Sequence, residues 1–229
     1  MNPNQTLTPS SFVVAERFNS VQGEGRWTGT PMHFIRLAGC NVGKRQQAGP
    51  FVMQLKTGES AAECCTYDGR PFQCDTDYFH GKVMSFELLA NLTTERHVVF
   101  TGGEPVLHQD RILDFLNAYP QYECHVETSG TVPLHPQFAA RSTWITCSPK
   151  RGFLEDVIHR ADEIKLLIDP GFKLSDVPEV ILNHHLVYVQ PVNSELSVDQ
   201  DNVKLCLDLL REMPHWNLSV QLHKFINVR

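Results

Sequence analysis

Apolar runs and helically spaced segments take turns along the chain. "HFIRLAG" (33–39) and "HVVFTGG" (97–103) read as buried strands that stop at glycine. "ECHVETSG" (123–130), "TWITCSPK" (143–150), "DEIKLLID" (162–169), "LVYVQPV" (186–192) and "LSVQLHKFI" (218–226) read as further strands. Helical spacing marks "FELLANL" (86–92), "RILDFLNAY" (111–119) and "QDNVKLCLDLLREM" (200–213), where Val203, Leu207, Leu210 and Met213 share one face. Strands alternating with helices predict an α/β fold with a mostly parallel sheet. About six strands are too few for a complete eight-fold barrel. The expected form is a partial βα barrel, open on one side.

Polar or glycine clusters close successive strands: "TGGEP", "ETSG", "SPK", "QPVN" and finally "HK". Each alone reads as a turn. Five in succession predict a binding site, because the C-terminal edge of a parallel sheet gathers all the strand ends. One stretch breaks the rhythm. Residues 43–82, rich in Gly, Gln and charge, form the longest irregular segment. A loop of that length inside a compact domain is functional or disordered. With no internal repeat, the chain suits a single domain over 1–229 that carries this insertion.

Composition is that of an ordinary globular chain, 41% hydrophobic and 20% charged. The net charge of −6 argues against a nucleic-acid or membrane-surface binder, each of which needs a basic face. "MNPNQTLTPSS" lacks the apolar core of a signal peptide, and no apolar run approaches the ~20 residues of a membrane span. The expected location is the cytoplasm. Thiols stay reduced there, and clustered cysteines are more often ligands or catalysts than disulfides. The cysteines number seven, an odd count that rules out complete pairing within one chain.

"ECCTYDGRPFQCDTDY" (63–78) holds three of the seven cysteines, and Cys40 lies upstream in "LAGCNVG". Cys124, Cys147 and Cys206 stand alone on strands or a helix and read as small buried apolar residues. Zinc usually takes four ligands in paired short spacings; here Cys40, Cys64, Cys74 and a histidine such as His80 would fit it poorly. Three thiolates on a four-iron cubane leave one iron open to a small molecule. An open iron at the edge of an α/β sheet is a catalytic arrangement.

"GC" followed by a cysteine group ending in "CDT", then "TGGEP", "ETSG", "SPK", "QP" and a terminal "HK", resembles the radical S-adenosylmethionine enzymes. With "SVQGEG" (20–25), "TGTPMHFIRLAGC" (28–40) and "ADEIK" (161–165), the resemblance narrows to the 7-carboxy-7-deazaguanine synthase family of queuosine biosynthesis and covers about residues 12 to 229. The cysteine spacing departs from the family's usual Cys-x3-Cys-x2-Cys. Here 23 residues separate Cys40 from Cys64 and nine separate Cys64 from Cys74, so the long irregular stretch is an insertion in the cluster-binding loop. A compact inserted loop is admissible, since a cluster constrains sulfurs in space rather than in sequence. Counting back from Asp68-Gly69, as similar members suggest, selects Cys64 over Cys65. Adjacent side chains on an extended segment face opposite ways, so only one of the two reaches a cluster.

The resemblance implies a 4Fe-4S cluster on Cys40, Cys64 and Cys74 whose open iron chelates S-adenosylmethionine. A 5′-deoxyadenosyl radical then takes a hydrogen from 6-carboxy-5,6,7,8-tetrahydropterin; ring contraction and loss of ammonia give 7-carboxy-7-deazaguanine. The electron would come from a donor such as flavodoxin or ferredoxin. By the same resemblance, Gln73, Cys74, Asp75, Gly102, Gly103 and Glu104 contact S-adenosylmethionine, as do Ser148, Pro149, Lys150, Gln190, Pro191, Val192 and Asn193. Thr76 matches a Mg2+ position. Val21, Gln22, Gly23, Glu24, Arg36, Thr101, Glu127 and His223 match substrate contacts, and the carboxylate of Arg229 is expected to close over the substrate. Arg36 suits a carboxylate through its two-pronged guanidinium, although taken by itself it reads as an ordinary ion pair. A homodimer is expected, since an incomplete barrel leaves a sheet edge to cover. Two other readings stay open: a different radical enzyme, such as a glycyl-radical activase, and a non-enzymatic zinc protein.

Overall fold

The structure is a computed structural model that describes residues 7–42, 44–45, 62–74, 78–193, 197–226 and 228. The described chain opens on a hairpin, β1 (Ser11–Val21) and β2 (Pro31–Leu37), paired antiparallel from Val21↔Pro31 to Val14↔Leu37. Three short strands, β3 (Lys44–Arg45), β4 (Ala62–Cys65) and β5 (Pro71–Cys74), form a separate antiparallel sheet. β6 (Lys82–Ser85) returns to pair with β1. Then βα units follow: α1 (Phe86–Leu92), β7 (His97–Gly102), α2 (Gln109–Ala118), β8 (Glu123–Thr128), α3 (Pro136–Arg141), β9 (Trp144–Cys147) and α4 (Glu155–Arg160). The chain continues through β10 (Glu163–Ile168), α5 (Glu179–Leu182), β11 (Val187–Pro191), α6 (Gln200–Glu212), β12 (Asn217–Leu218) and α7 (Leu222–Ile226). The main sheet has the order β12-β11-β10-β9-β8-β7-β2-β1-β6, parallel from β12 to β2.

The α/β class with a mostly parallel sheet is as the periodicity predicts. Among the described residues seven strands are mutually parallel, one in each of the seven runs read as strands and so slightly above the expected count of about six, and β1 and β6 extend the sheet beyond β2. The strand expected over 218–226 is instead the short β12 and a helix. Ser219 N makes the last sheet bond, to Val189 O at 2.9 Å. From Leu222 the apolar positions are Leu222, Phe225 and Ile226, the i, i+3, i+4 spacing of a helix. Helices α3, α4 and α5 span only four to six residues, too few for a period to show in the sequence.

Alternation splits each parallel strand between two faces. The outer face, with Val98, Phe100, Val126, Ile145, Ile164, Leu166 and Val189, packs on the helices in one apolar core. Phe115 of α2 is central there, with its ring against Phe12, Phe86, Phe100 and Tyr122. The inner face has a small apolar cluster of Met32, Phe34 and Val99 with Phe18 and Trp27. Towards the strand C-termini the same face turns polar, with the in-register pairs Arg36 and Thr101 and Glu127 and Thr146, then Lys165 of β10 and, two residues past its partner Tyr188, Gln190 of β11.

Two buried histidines make the folded chain acid-sensitive. Burial, then His97, pushes His125 down to about 4; burial, then Arg17, does the same to His33. Both folded values lie below the unfolded value near 6.5. Their stability contribution is therefore complete above pH 6.5 and is lost as pH falls from there towards 4, at roughly 1 kcal/mol per pH unit for each. Denaturant titrations of the metal-free protein should show lower stability at pH 5 than at pH 7, and a shallower loss in His125→Phe. Equal stability at the two pH values would mean that neither ring is held neutral.

Candidate active site

The inserted sheet decides which way its thiols face. β4 and β5 pair Cys64↔Phe72 and Cys65↔Pro71. Alternation then puts Cys64, Phe72 and Cys74 on one face of the hairpin and Cys65 on the other. Cys64, Phe72 and Cys74 line a cavity of about 290 Å³ at the C-terminal ends of the parallel strands, and Cys40 lines it from the loop after β2; Cys65 does not. Burial pushes the Cys64 thiol up to about 11; Lys150 opposes the rise, while Cys74 and Cys40 add to it. Burial and the same three thiols raise Tyr78, which lines the cavity beside them. Among the described residues no three His, Cys, Asp or Glu side chains converge on one metal ion. The donor set suits a cubane, whose thiolates each hold a different iron.

β7 delivers "TGGEP" directly beneath the Cys40 loop. Gly103 N donates to Leu37 O (3.2 Å) and Glu104 N to Gly39 O (2.9 Å). A Cβ at Gly103 would come within 1.9 Å of Gly39 O, so only glycine lets the two loops touch. Glu104 is fully buried, and its carboxylate is taken by the protein itself. Val106 N and Thr128 Oγ1 donate to one oxygen, Ser129 N and Oγ to the other. It ties the turn after β7 to the turn after β8 and does not line the cavity.

Gly102, Gly103, Ser148, Lys150, Gln190, Pro191, Val192 and Asn193 do line it. Lys150 Nζ donates to Ser148 O (3.0 Å) and Oγ (2.9 Å) and lies 5.3 Å from the centre of the Phe72 ring. Pro149 is buried outside the lining. Asp75, Thr76, Arg229 and the side chain of Gln73 lie outside the described residues.

Of the expected substrate contacts, Glu24, Arg36, Thr101, Glu127 and His223 share the same cavity, whereas Val21, Gln22 and Gly23 stand just outside it. Gln22 Nε2 donates to one Glu127 oxygen (3.2 Å) and Thr101 Oγ1 to the other (2.9 Å). Gly23 packs so tightly on His223 that a Cβ would fall 2.2 Å from its Nδ1. Arg36 Nε lies 3.3 Å from Glu16 Oε2, so the guanidinium both lines the cavity and has an ion-pair partner.

Lys165 lines the cavity without having been singled out. It donates to Glu24, whose other oxygen accepts from Gln190 (3.1 Å) and Gln221 (2.9 Å). Burial disfavours charge on both partners, yet their attraction prevails: Glu24 is lowered and Lys165 raised, with Glu127 and Glu163 adding to the latter. The signal was available in "DEIKLLID", where Glu163 and Lys165 alternate with Ile164, Leu166 and Ile168 on a strand flanked by others. Inward charges in such a strand need a polar site to face.

Three thiols that line a polar cavity at the strand ends, with Cys124, Cys147 and Cys206 left to the core, give an α/β protein with a candidate active site. No protein-family model matches the chain. Over 95% of its length it is similar to 7-carboxy-7-deazaguanine synthase of Buchnera aphidicola subsp. Schizaphis graminum, 30% identical over 227 residues and 99% of that relative. Over 94% of its length it is similar to the synthase of the same name from Bacteroides thetaiotaomicron, 34% identical over 220 residues and 98% of that relative. The crystal structure of QueE from Escherichia coli matches with a TM-score of 0.59 at 28% identity, covering 92% of this chain and 94% of that one. The chain belongs to the 7-carboxy-7-deazaguanine synthase family and so is an enzyme of the radical S-adenosylmethionine class.

Proposed function

We propose that the chain converts 6-carboxy-5,6,7,8-tetrahydropterin to 7-carboxy-7-deazaguanine with loss of ammonia, in queuosine or related 7-deazaguanine biosynthesis. One observation carries the reading: the thiols of Cys40, Cys64 and Cys74 share a single cavity with Arg36, Glu24, Thr101 and Glu127. When bound, a 4Fe-4S cluster on those thiolates supplies, with S-adenosylmethionine, the radical that removes hydrogen from the substrate. The chain's own residues bind, orient and shield. Gly102, Gly103, Ser148, Lys150 and Gln190 through Asn193 would hold S-adenosylmethionine, joined by Gln73, Cys74 and Asp75; Glu104 and Pro149 would act behind them by fixing the turns. Glu24 and Glu127 offer lone pairs to the N–H groups of a pterin, and Gln22 and Thr101 keep Glu127 in place. Arg36 would take the substrate carboxylate through two nitrogens. Thr76 would assist a Mg2+ held mostly by substrate and water, and His223 and the carboxylate of Arg229 would close the cavity.

We read the sheet as an open βα barrel in a single domain. Residues 22–27 cross its inner face: Gly25 N donates to Ser219 Oγ (3.1 Å), Arg26 N to Glu163 Oε2 (2.9 Å), and Trp27 packs on His125 and Trp144. Among the described residues the edge strands β6 and β12 each have one neighbour, and Phe225, Ile226 and Val228 are about half exposed, which supports a homodimer. Among the described residues no cysteine is in a disulfide, which suits a reducing cytoplasm where flavodoxin or ferredoxin would supply the electron. Among the described residues no helix is long and apolar enough to cross a membrane.

Anaerobic incubation of reconstituted protein with the tetrahydropterin, S-adenosylmethionine and a reductant, followed by product mass analysis, tests the reading. Carboxy-deazaguanine is the expected product; cleavage of S-adenosylmethionine without it points to another radical enzyme. In the same assay, Arg36→Lys keeps the charge and loses the fork. Substrate affinity should fall by ~1–3 kcal/mol while uncoupled cofactor cleavage persists. Unchanged affinity would leave Arg36 with a structural role, beside Glu16 and Phe18.

A further inference from the structure

We infer that Arg70 is a positioning residue for the thiol hairpin, setting where Cys64 and Cys74 stand relative to Cys40 through its grip on the end of β10. The inference rests on reading these cysteines as cluster ligands. The insertion moves two of the three thiols onto β4 and β5, which lie outside the main sheet. Cys40, by contrast, follows β2 of the main sheet. Some contact must therefore fix one sheet against the other if three sulfurs are to meet one cluster.

Arg70 makes that contact. It ends the hairpin turn, where Thr66 N donates to Arg70 O and Gly69 N to Thr66 O, each at 3.0 Å. Its guanidinium leaves the turn and reaches the main sheet. Nη2 donates to Leu167 O at 3.0 Å, and Nη1 forms an ion pair with Asp169 Oδ1 at 2.6 Å. Nε donates back to Asp68 Oδ2 at 2.7 Å, and Asp68 in turn accepts from Thr66 Oγ1. The face of the group lies 5.5 Å from the centre of the Phe172 ring, and the side chain is only 14% exposed. Nε and Nη2 thus hydrogen-bond on either side of the junction, and Nη1 adds the charge contact with Asp169. A planar fork held this way fixes orientation as well as distance, which a lysine ammonium does not. Leu167 itself lines the cavity, so the anchor is tied to the cavity wall. The only other backbone tie at the turn is the bridge of Thr66 to Lys150 among the described residues.

The lever arm makes the anchor matter. Cys74 is four residues beyond Arg70 on an extended strand, roughly 13 Å at ~3.3 Å per residue. A swing of about 10° at the turn would move it by ~2 Å, close to the length of a metal–sulfur bond of about 2.3 Å.

Arg70→Ala, Arg70→Lys and Asp169→Asn test this with three measurements. Hydrogen exchange of the metal-free protein reads the hairpin directly. In Arg70→Ala, amides of 64–74 should exchange at least tenfold faster, with β7 to β11 unchanged. Iron and sulfide after anaerobic reconstitution should fall to less than half of the wild-type content. The electron paramagnetic resonance signal of the reduced cluster should broaden and respond less to S-adenosylmethionine. Asp169→Asn, which keeps the guanidinium, should reproduce the loss more weakly, and Arg70→Lys should rescue it only in part. Wild-type exchange, iron content and spectrum in Arg70→Ala would overturn the inference, as would full rescue by lysine. A wild-type protein that takes up no iron would overturn the cluster reading instead, and the exchange measurement would still decide the anchor.

Discussion

Cys64→Ala is expected to leave the protein with almost no iron and no turnover, while Cys65→Ala keeps its iron, its brown colour and its activity. The two residues are neighbours on one short strand, yet their cross-strand partners separate them: Cys64 pairs with Phe72, which also lines the cavity, and Cys65 pairs with Pro71, which does not. A cluster held by three protein thiolates has no spare ligand, so removing one destroys or strongly destabilises it. A register slip of one residue in β4 would exchange the two roles, because a strand's period is two. The hairpin turn at Asp68-Gly69 opposes such a slip. Iron and sulfide analysis of both single mutants after anaerobic reconstitution separates the cases. Loss in Cys65→Ala with retention in Cys64→Ala would mean that the slipped register is the working one. Full clusters in both singles and in the double mutant would remove β4 from the cluster and leave Cys74 as the ligand that the hairpin supplies.

Much of this architecture was legible because its signals are local. Runs such as "HVVFTGG" and "ECHVETSG" state a buried strand and its end within eight residues, and the ends of parallel strands share one edge whatever the loops do. The choice of Cys64 over Cys65 was not local: it rests on the resemblance, through the count back from Asp68-Gly69. What was not legible depends on partners distant in sequence. Glu104 reads as a carboxylate free to meet a ligand, yet Thr128 and Ser129, from the next βα unit, take its oxygens. Arg70 sits in a polar turn, and nothing nearby announces Leu167 and Asp169 nearly a hundred residues on. α7 was read as a strand because "LSVQ" alternates, and the helical spacing begins only at Leu222. Lys165 is the opposite case: its signal is local, and it shows once the alternation of Glu163 and Lys165 with Ile164, Leu166 and Ile168 is followed to the inner face.

Lys165→Met should destabilise the metal-free protein by about 3–5 kcal/mol at pH 7, the cost of leaving a buried carboxylate without its cation. In that variant Glu24 keeps the amides of Gln190 and Gln221 as donors and the attraction of His223, and loses the one ammonium that sits against it. The pH dependence distinguishes this cause from lost packing. In the wild type, Glu24 is lowered below 4.5, so its share of the pair's stability is present above that value and is lost as pH falls below it. Lys165 is raised above 10.5, so its share is present below that value and is lost as pH rises through the raised one. Between pH 5 and 10 the pair therefore contributes a constant amount. Without Lys165, burial raises Glu24, and the stability of its neutral form is lost as pH rises through the new value. The deficit of Lys165→Met relative to wild type should thus be smaller at pH 5 than at pH 7, and the subtraction removes the histidine effect common to both proteins. Adding Glu24→Gln should recover much of the loss, because the unpaired charge is gone, and should flatten the pH dependence of the difference. Denaturant titrations of the wild type, Lys165→Met, Glu24→Gln and the double variant at the two pH values complete the cycle. A deficit below 1 kcal/mol that does not change with pH would show that Lys165 and Glu24 behave as a solvated pair, and the polar end of the cavity would then be open to water.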